Sequence, residues 1–120
     1  PGQSRDEVVV LSAHYDHLGL NPADPADKVF NGANDNASGV ASVIESARLL
    51  KQLGVTPART IAFVAWFGEE RGLLGSRYFV RHPVFPLKSI AANLNLEQTG
   101  RTDSSDGQAN LNQANLTGYH

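Results

Sequence analysis

His14, Asp16, Asp35, Glu69, Glu70 and Glu97 are the residues whose types and placement could do metal chemistry in this 120-residue chain. His14 and Asp16 follow the apolar run Val8 to Ala13, Glu69 and Glu70 follow Thr60 to Phe67 across Gly68, and Glu97 closes Ile90 to Leu96. Imidazole nitrogen and carboxylate oxygen are the zinc ligands open to a chain that has no cysteine. Such groups at the ends of three apolar runs point to a metal site, because a chance scatter of charge would not favour strand ends. An apolar run continuous on both faces reads as a buried parallel strand, and open parallel sheets place their chemistry beyond the carboxyl ends of such strands.

Each residue also has a plainer reading. A single histidine at a strand end is commonly a hydrogen-bonded structural residue, and H-x-D alone is a weak motif. Residues i and i+2 share a face of a strand, however, so the Asp16 carboxylate is expected to accept one imidazole N–H and leave the other nitrogen for metal. Asp35 lies in Gly32-Ala33-Asn34-Asp35-Asn36-Ala37-Ser38-Gly39 ahead of a helix, where an isolated Asp would be a cap. Asn36 and Ser38 can already cap, which leaves Asp35 available, and the segment is neither G-x-G-x-x-G nor a Walker loop. Glu69-Glu70 is the sharpest signal: adjacent like charges after a buried strand repel one another unless a cation or proton intervenes. The plain alternative is a solvated turn. Glu97 alone would be a surface residue.

The elements that must position these groups alternate. Ala37 to Leu53 carries Val40, Val43, Ile44, Ala47 and Leu50 at helical spacing, with Glu45, Arg48 and Lys51 opposite. Gly54 and Pro57 mark its end. Thr60 to Phe67 is β-branched and aromatic, a shorter helix is expected from Gly72 or Ser76 to His82 before Pro83, and Ile90 to Leu96 is a strand interrupted by Asn93 and Asn95. Strand, helix, strand implies a parallel crossover and an α/β class with helices on the sheet faces. A long polar loop containing Asn21, Pro22, Pro25, Asn31 and Gly32 separates the first strand from the first helix. Residues 102–120 are polar and receive no predicted structure.

Composition narrows the partners. The net charge is −2 with scattered basic residues, so there is no electrostatic footprint for nucleic acid or an anionic membrane. No apolar stretch approaches the roughly 20 residues that span a bilayer. The chain opens Pro1-Gly2, lacks methionine, and is expected to be a processed product, a cloned fragment or a piece of a longer gene.

The ordered set H-x-D, G-x-N-D-N-x-S-G, G-E-E-x-G-L-x-G-S and N-L-E-x-x-G resembles metallopeptidase family 28, the co-catalytic di-zinc aminopeptidases, from about Val8 to Arg101. The resemblance implies a three-layer α/β/α zinc-exopeptidase (phosphorylase/hydrolase-like) fold with a mostly parallel mixed sheet. The chain, as one partial catalytic domain over 1–120, is expected to lack the C-terminal part of that fold. It implies that His14 binds the first zinc with Asp16 orienting it, that Asp35 bridges two zincs, that Glu70 binds the second, and that Glu69 is the general base. Glu97 takes the position of the family's Asp and is expected still to reach the first zinc. A cis peptide is implied after Asp35. The implied activity is removal of N-terminal residues from peptides with a free N-terminus, through a water bridging the metals, in a secreted or periplasmic enzyme.

The family's fifth ligand is a histidine on a late loop, which this chain does not match. His120 lies in the polar segment, and His17 and His82 match no ligand position and are expected on the surface. The second zinc is therefore expected to lack its histidine, and the uncovered sheet to favour self-association or a C-terminal complement. The competing readings are a glutaminyl-cyclase-like mono-zinc acyltransferase and a non-catalytic interaction module of the same fold.

Overall fold

The computed structural model describes residues 6–102. Its first strand, β1 (Val8–His14), is the apolar run extended by one residue to take in the histidine. Two-residue strands β2 (Gly19–Leu20) and β3 (Val29–Phe30) pair antiparallel and fold the long polar loop back on itself. Helix α1 spans Gly39–Gln52, β4 spans Thr60–Trp66, α2 spans Leu74–Arg81, and β5 spans Ile90–Asn95.

The main sheet has the order β4-β1-β5, and both of its pairings are parallel. Among the described residues it is thus wholly parallel rather than mixed, and the antiparallel ladder stands apart. β1 lies in the middle, with Val8, Val10, Ser12, Ala13 and His14 buried, whereas β4 and β5 are largely half-exposed or exposed. Apolarity on both faces marks all three runs as buried strands; among the described residues only β1, paired on both edges, is buried that way, whereas β4 is as apolar but lies at the edge of the sheet.

Asn93 and Asn95, which interrupt the third apolar run, have partners. They sit opposite Val10 and Ser12 in the register, and their side-chain oxygens lie 3.2 and 3.0 Å from the hydroxyl of the fully buried Ser12. A buried hydroxyl needs such a partner, so the polar break in β5 matches the polar residue in β1.

Helix α1 packs on β1 and β4. Val40, Val43, Ile44 and Ala47 meet Ala13, Phe63 and Ala65 across an apolar cleft, the stripe that the helical spacing predicts. Trp66, one residue beyond Ala65, points to the opposite face and lies 5.4 Å from the ring of Phe79 in α2. Helix α2 thus touches the sheet from the side opposite α1. Gly54, at φ 63°, ends α1 in a left-handed turn.

The start of α1 differs from the expectation. It begins at Gly39 rather than Ala37, because Ala33–Ser38 forms a wide turn broken by non-helical backbone at Asp35 and Asn36. Asn36 supplies the cap, accepting the Gly39 N–H at 3.1 Å, whereas the Ser38 hydroxyl donates to the Asn34 carbonyl at 2.7 Å. No helix among the described residues is long and apolar enough to cross a membrane. Residues 103–120, including His120, lie outside the described residues.

Candidate metal centre

Parallel pairing carries the ends of β1, β4 and β5 to one edge of the sheet, so groups more than fifty positions apart in sequence converge there. His14, 2 % exposed, ends β1 opposite Trp66 of β4. Its Nδ1 lies 3.0 Å from the backbone carbonyl of Asp16. A carbonyl only accepts, so Nδ1 carries a proton, which leaves Nε2 as the ring atom that a metal would take. That Nε2 lies 3.1 Å from Glu97 Oε1, 3.2 Å from Asp35 Oδ1 and 3.9 Å from Glu69 Oε2.

Asp16 takes a different part from the one its spacing suggested. Its carboxylate is 3.7 Å from His14 Nδ1, and instead accepts the backbone N–H of Glu69 at 3.0 Å and of Glu70 at 3.3 Å. The i, i+2 rule fails because β1 ends at His14 and the chain turns before Asp16. Asp16 still orients the imidazole, but through its main chain, and its side chain fixes the Glu69-Glu70 turn. Burial works against its charge, yet the two donated N–H groups prevail and hold its carboxyl below the usual range.

Asp35 stands at the break in the wide turn, and the Asp35–Asn36 peptide bond is cis, as the resemblance implies. Asn36, 1 % exposed, anchors this turn to the loop after β5: its Nδ2 donates to the Leu96 carbonyl at 2.9 Å, and its Oδ1 also accepts the Gln98 N–H at 3.1 Å. Gly39 lets the two segments meet, since a Cβ there would stand 2.5 Å from the Leu96 carbonyl oxygen. Gln98 in turn donates from Nε2 to Asp35 Oδ2 at 3.3 Å.

His17 corrects the surface expectation. Its Nδ1 is 2.7 Å from Glu70 Oε1, and its ring sits edge-on to Phe30, 6.3 Å between centroids. Gly32 presses close, with a Cβ there falling 2.9 Å from the His17 side chain. The one sequence signal for it was a second imidazole three residues beyond His14, in the same strand-end loop. His82, by contrast, is exposed beside Tyr78 at the end of α2, as expected.

The donors fall into two groups, His14 with Asp35 and Glu97, and His17 with Asp35 and Glu70. Within each group the candidate ligand atoms lie within 4.8 Å of one another, and Asp35 belongs to both. The electrostatics are those of a site short of positive charge. Among the described residues no lysine or arginine pairs with Asp35, Glu69, Glu70 or Glu97, whose cationic partners are imidazoles alone. Burial pushes the Glu97 carboxyl up, and the charges of Asp35 and Glu69 add to that against the opposing pull of His14. Burial also works against a charged His14, but Glu97, the Asp16 carbonyl and Glu69 outweigh it and raise its pKa.

These residues fit zinc. Tetrahedral ligation at about 2.0–2.1 Å separates neighbouring ligand atoms by roughly 3.3 Å. The 3.1 and 3.2 Å separations around His14 Nε2 already lie near that value. A nitrogen with two carboxylates leaves a coordination position open, the arrangement of catalytic zinc sites.

An α/β sheet with imidazole and carboxylate groups gathered beyond its strand ends defines a class of metal-dependent hydrolase-like domains, and comparison narrows it. The family model described as Peptidase family M28 matches residues 1–117, and the chain belongs to that family. It is 36 % identical over 114 residues to Aminopeptidase YwaD of Bacillus subtilis (strain 168), covering 87 % of this chain and 23 % of that protein. It is likewise 36 % identical over 102 residues to a Probable zinc metalloprotease of Pyrenophora tritici-repentis, covering 85 % of this chain and 23 % of that protein. A Probable leucine aminopeptidase of Trichophyton verrucosum is 33 % identical over 124 residues, covering 99 % and 33 %. The chain thus spans about a quarter to a third of the length of these relatives. No solved structure gives a significant match.

Proposed function

We propose that the chain carries the ligand-bearing part of a zinc-dependent exopeptidase of aminopeptidase type, built on a three-layer α/β/α fold. The observation that carries this reading is the meeting of Asp35 Oδ1 and Glu97 Oε1 at 3.2 and 3.1 Å from His14 Nε2. His14, Asp35 and Glu97 would hold one zinc, and Asp35 with Glu70 would contribute to a second. Bound zinc supplies polarisation of the scissile carbonyl and a lowered pKa for the attacking water.

The chain's own groups supply the rest. Glu69, its carboxylate more than a third exposed and 3.9 Å from His14 Nε2, takes the proton from the attacking water and returns it to the departing amine. Asp16 holds the Glu69 and Glu70 main chain still while this happens. The excess of carboxylates without a lysine or arginine partner favours a substrate that brings its own cation, a peptide with a free, protonated N-terminus.

A zinc count together with an aminoacyl-p-nitroanilide assay tests the proposal. Two zincs and turnover support it. One zinc with cyclisation of N-terminal glutamine would favour the acyltransferase reading, and absence of both metal and turnover would leave an interaction module.

A further inference from the structure

We infer that Asn95 is a positioning residue for Glu97: its side-chain amide, itself held by the buried hydroxyl of Ser12, fixes the carboxylate that faces His14, so that a metal arriving at Nε2 meets a ligand already aimed. The inference rests on the zinc reading above and goes beyond it, since neither the resemblance nor the ligand set gives a part to Ser12 or Asn95.

Three observations carry it. First, the two oxygens of Glu97 have separate partners: Oε1 lies 3.1 Å from His14 Nε2, and Oε2 lies 3.5 Å from Asn95 Nδ2, a long hydrogen bond. A glutamate has one more side-chain torsion than an aspartate, so its carboxylate sweeps a wider arc and gives up more freedom on binding an ion unless something already restrains it. Second, the direction of the Asn95 amide follows from its partners. An ionised carboxylate only accepts, so Asn95 turns its NH2 group to Glu97 and its Oδ1 away, and the Ser12 hydroxyl, 3.0 Å from that Oδ1, donates to it. Third, the start of this relay is fixed. Ser12 is fully buried in β1, the middle strand of the sheet, stands opposite Asn95 in the register, and shares a face of the strand with His14 two residues on. The imidazole and the carboxylate that meet at Nε2 are therefore both referred to the same strand, one directly and the other through Ser12 and Asn95. The polar break in β5 thereby gains a role besides satisfying a buried hydroxyl.

A double-mutant cycle tests it. Zinc affinity is measured by competition with a metal-binding dye for the parent, Asn95→Ala, Glu97→Ala and the double variant, each shown to be folded by circular dichroism. Removing a group that orients a ligand typically weakens metal binding about 10–100-fold. Asn95→Ala should therefore weaken the site that Glu97→Ala also weakens, by about that factor, and should cost nothing further once Glu97 is gone, because no carboxylate is left to aim. A residue that served only to join β5 to β1 would lower affinity by the same factor in both backgrounds, since strand pairing does not depend on Glu97. That result overturns the inference, as does an affinity unchanged by Asn95→Ala. Should Asn95→Ala prevent folding, Ser12→Ala in the same cycle decides: a loss that depends on Glu97 supports the relay, and no loss, or one independent of Glu97, overturns it. Zinc binding that Glu97→Ala itself leaves unchanged would instead overturn the zinc reading on which the inference stands.

Discussion

The carboxylate of Asp16 accepts the backbone N–H of Glu69 at 3.0 Å, a bond across 53 positions that joins the loop after β1 to the loop after β4. With the Glu70 N–H at 3.3 Å on its other oxygen, Asp16 is the clasp that sets where two adjacent glutamates point. Charge-assisted bonds of this kind contribute about 1.5–3 kcal/mol each way of accounting, and removing the acceptor leaves donors unpaired. Asp16→Ala should therefore lower stability by about 2–3 kcal/mol in urea unfolding of metal-stripped protein. Because the folded-state pKa is depressed, this stabilisation is present above the unfolded value and lost as pH falls through the folded one. The stabilities of parent and variant should accordingly converge on acidification; a constant gap would show that Asp16 acts by shape alone.

Glu69 and Glu70 should separate by substitution. Glu69→Gln keeps the shape and removes the proton acceptor, so turnover of an aminoacyl-p-nitroanilide should drop by about 10²–10⁴-fold while zinc content holds. Loss of zinc in step with activity would reassign Glu69 as a ligand.

Glu70→Ala should lower zinc content from two ions per chain toward one, measured by mass spectrometry after removal of loose metal. An unchanged zinc content would remove Glu70 from the ligand set.

Gly39→Ala tests the seam between the Asp35 turn and the loop after β5. Its new Cβ would stand 2.5 Å from the Leu96 carbonyl oxygen, and both that carbonyl and the Asn36 amide are engaged with each other at 2.9 Å. Neither can yield without parting Asp35 from Glu97. Overpacking of this kind costs about 1–3 kcal/mol, to be seen as a lower denaturation midpoint, and should weaken zinc binding too. A neutral Gly39→Ala would mean that the two loops move independently.

The residues that sequence alone placed well are those whose role follows from neighbours in the chain. The helical stripe of Val40, Val43 and Ala47 was legible because one face repeats with the helix period, although Ile44, counted in the same stripe, stands 64 % exposed. Histidine and carboxylates at the ends of apolar runs were legible because parallel strands place such ends together. The side-chain partners of Asp16 and His17 were not, because the chain leaves the strand after His14 and a period of two no longer says where side chains point. Asn93 and Asn95 read as defects until Ser12 stood beside them.

Sequence by itself thus determined the three strands of the main sheet, the two helices and the family to which the chain belongs. Only the tertiary structure decided the order β4-β1-β5, the meeting of His14 with Asp35 and Glu97, and the pairing of His17 with Glu70. The physical reason is range. Hydrophobic period and capping act over a few residues, whereas a donor group drawn from four loops exists only once non-local pairing has closed the chain between them. His17 shows the difference most plainly: an imidazole in a polar loop until the fold brings Glu70, Phe30 and Gly32 around it.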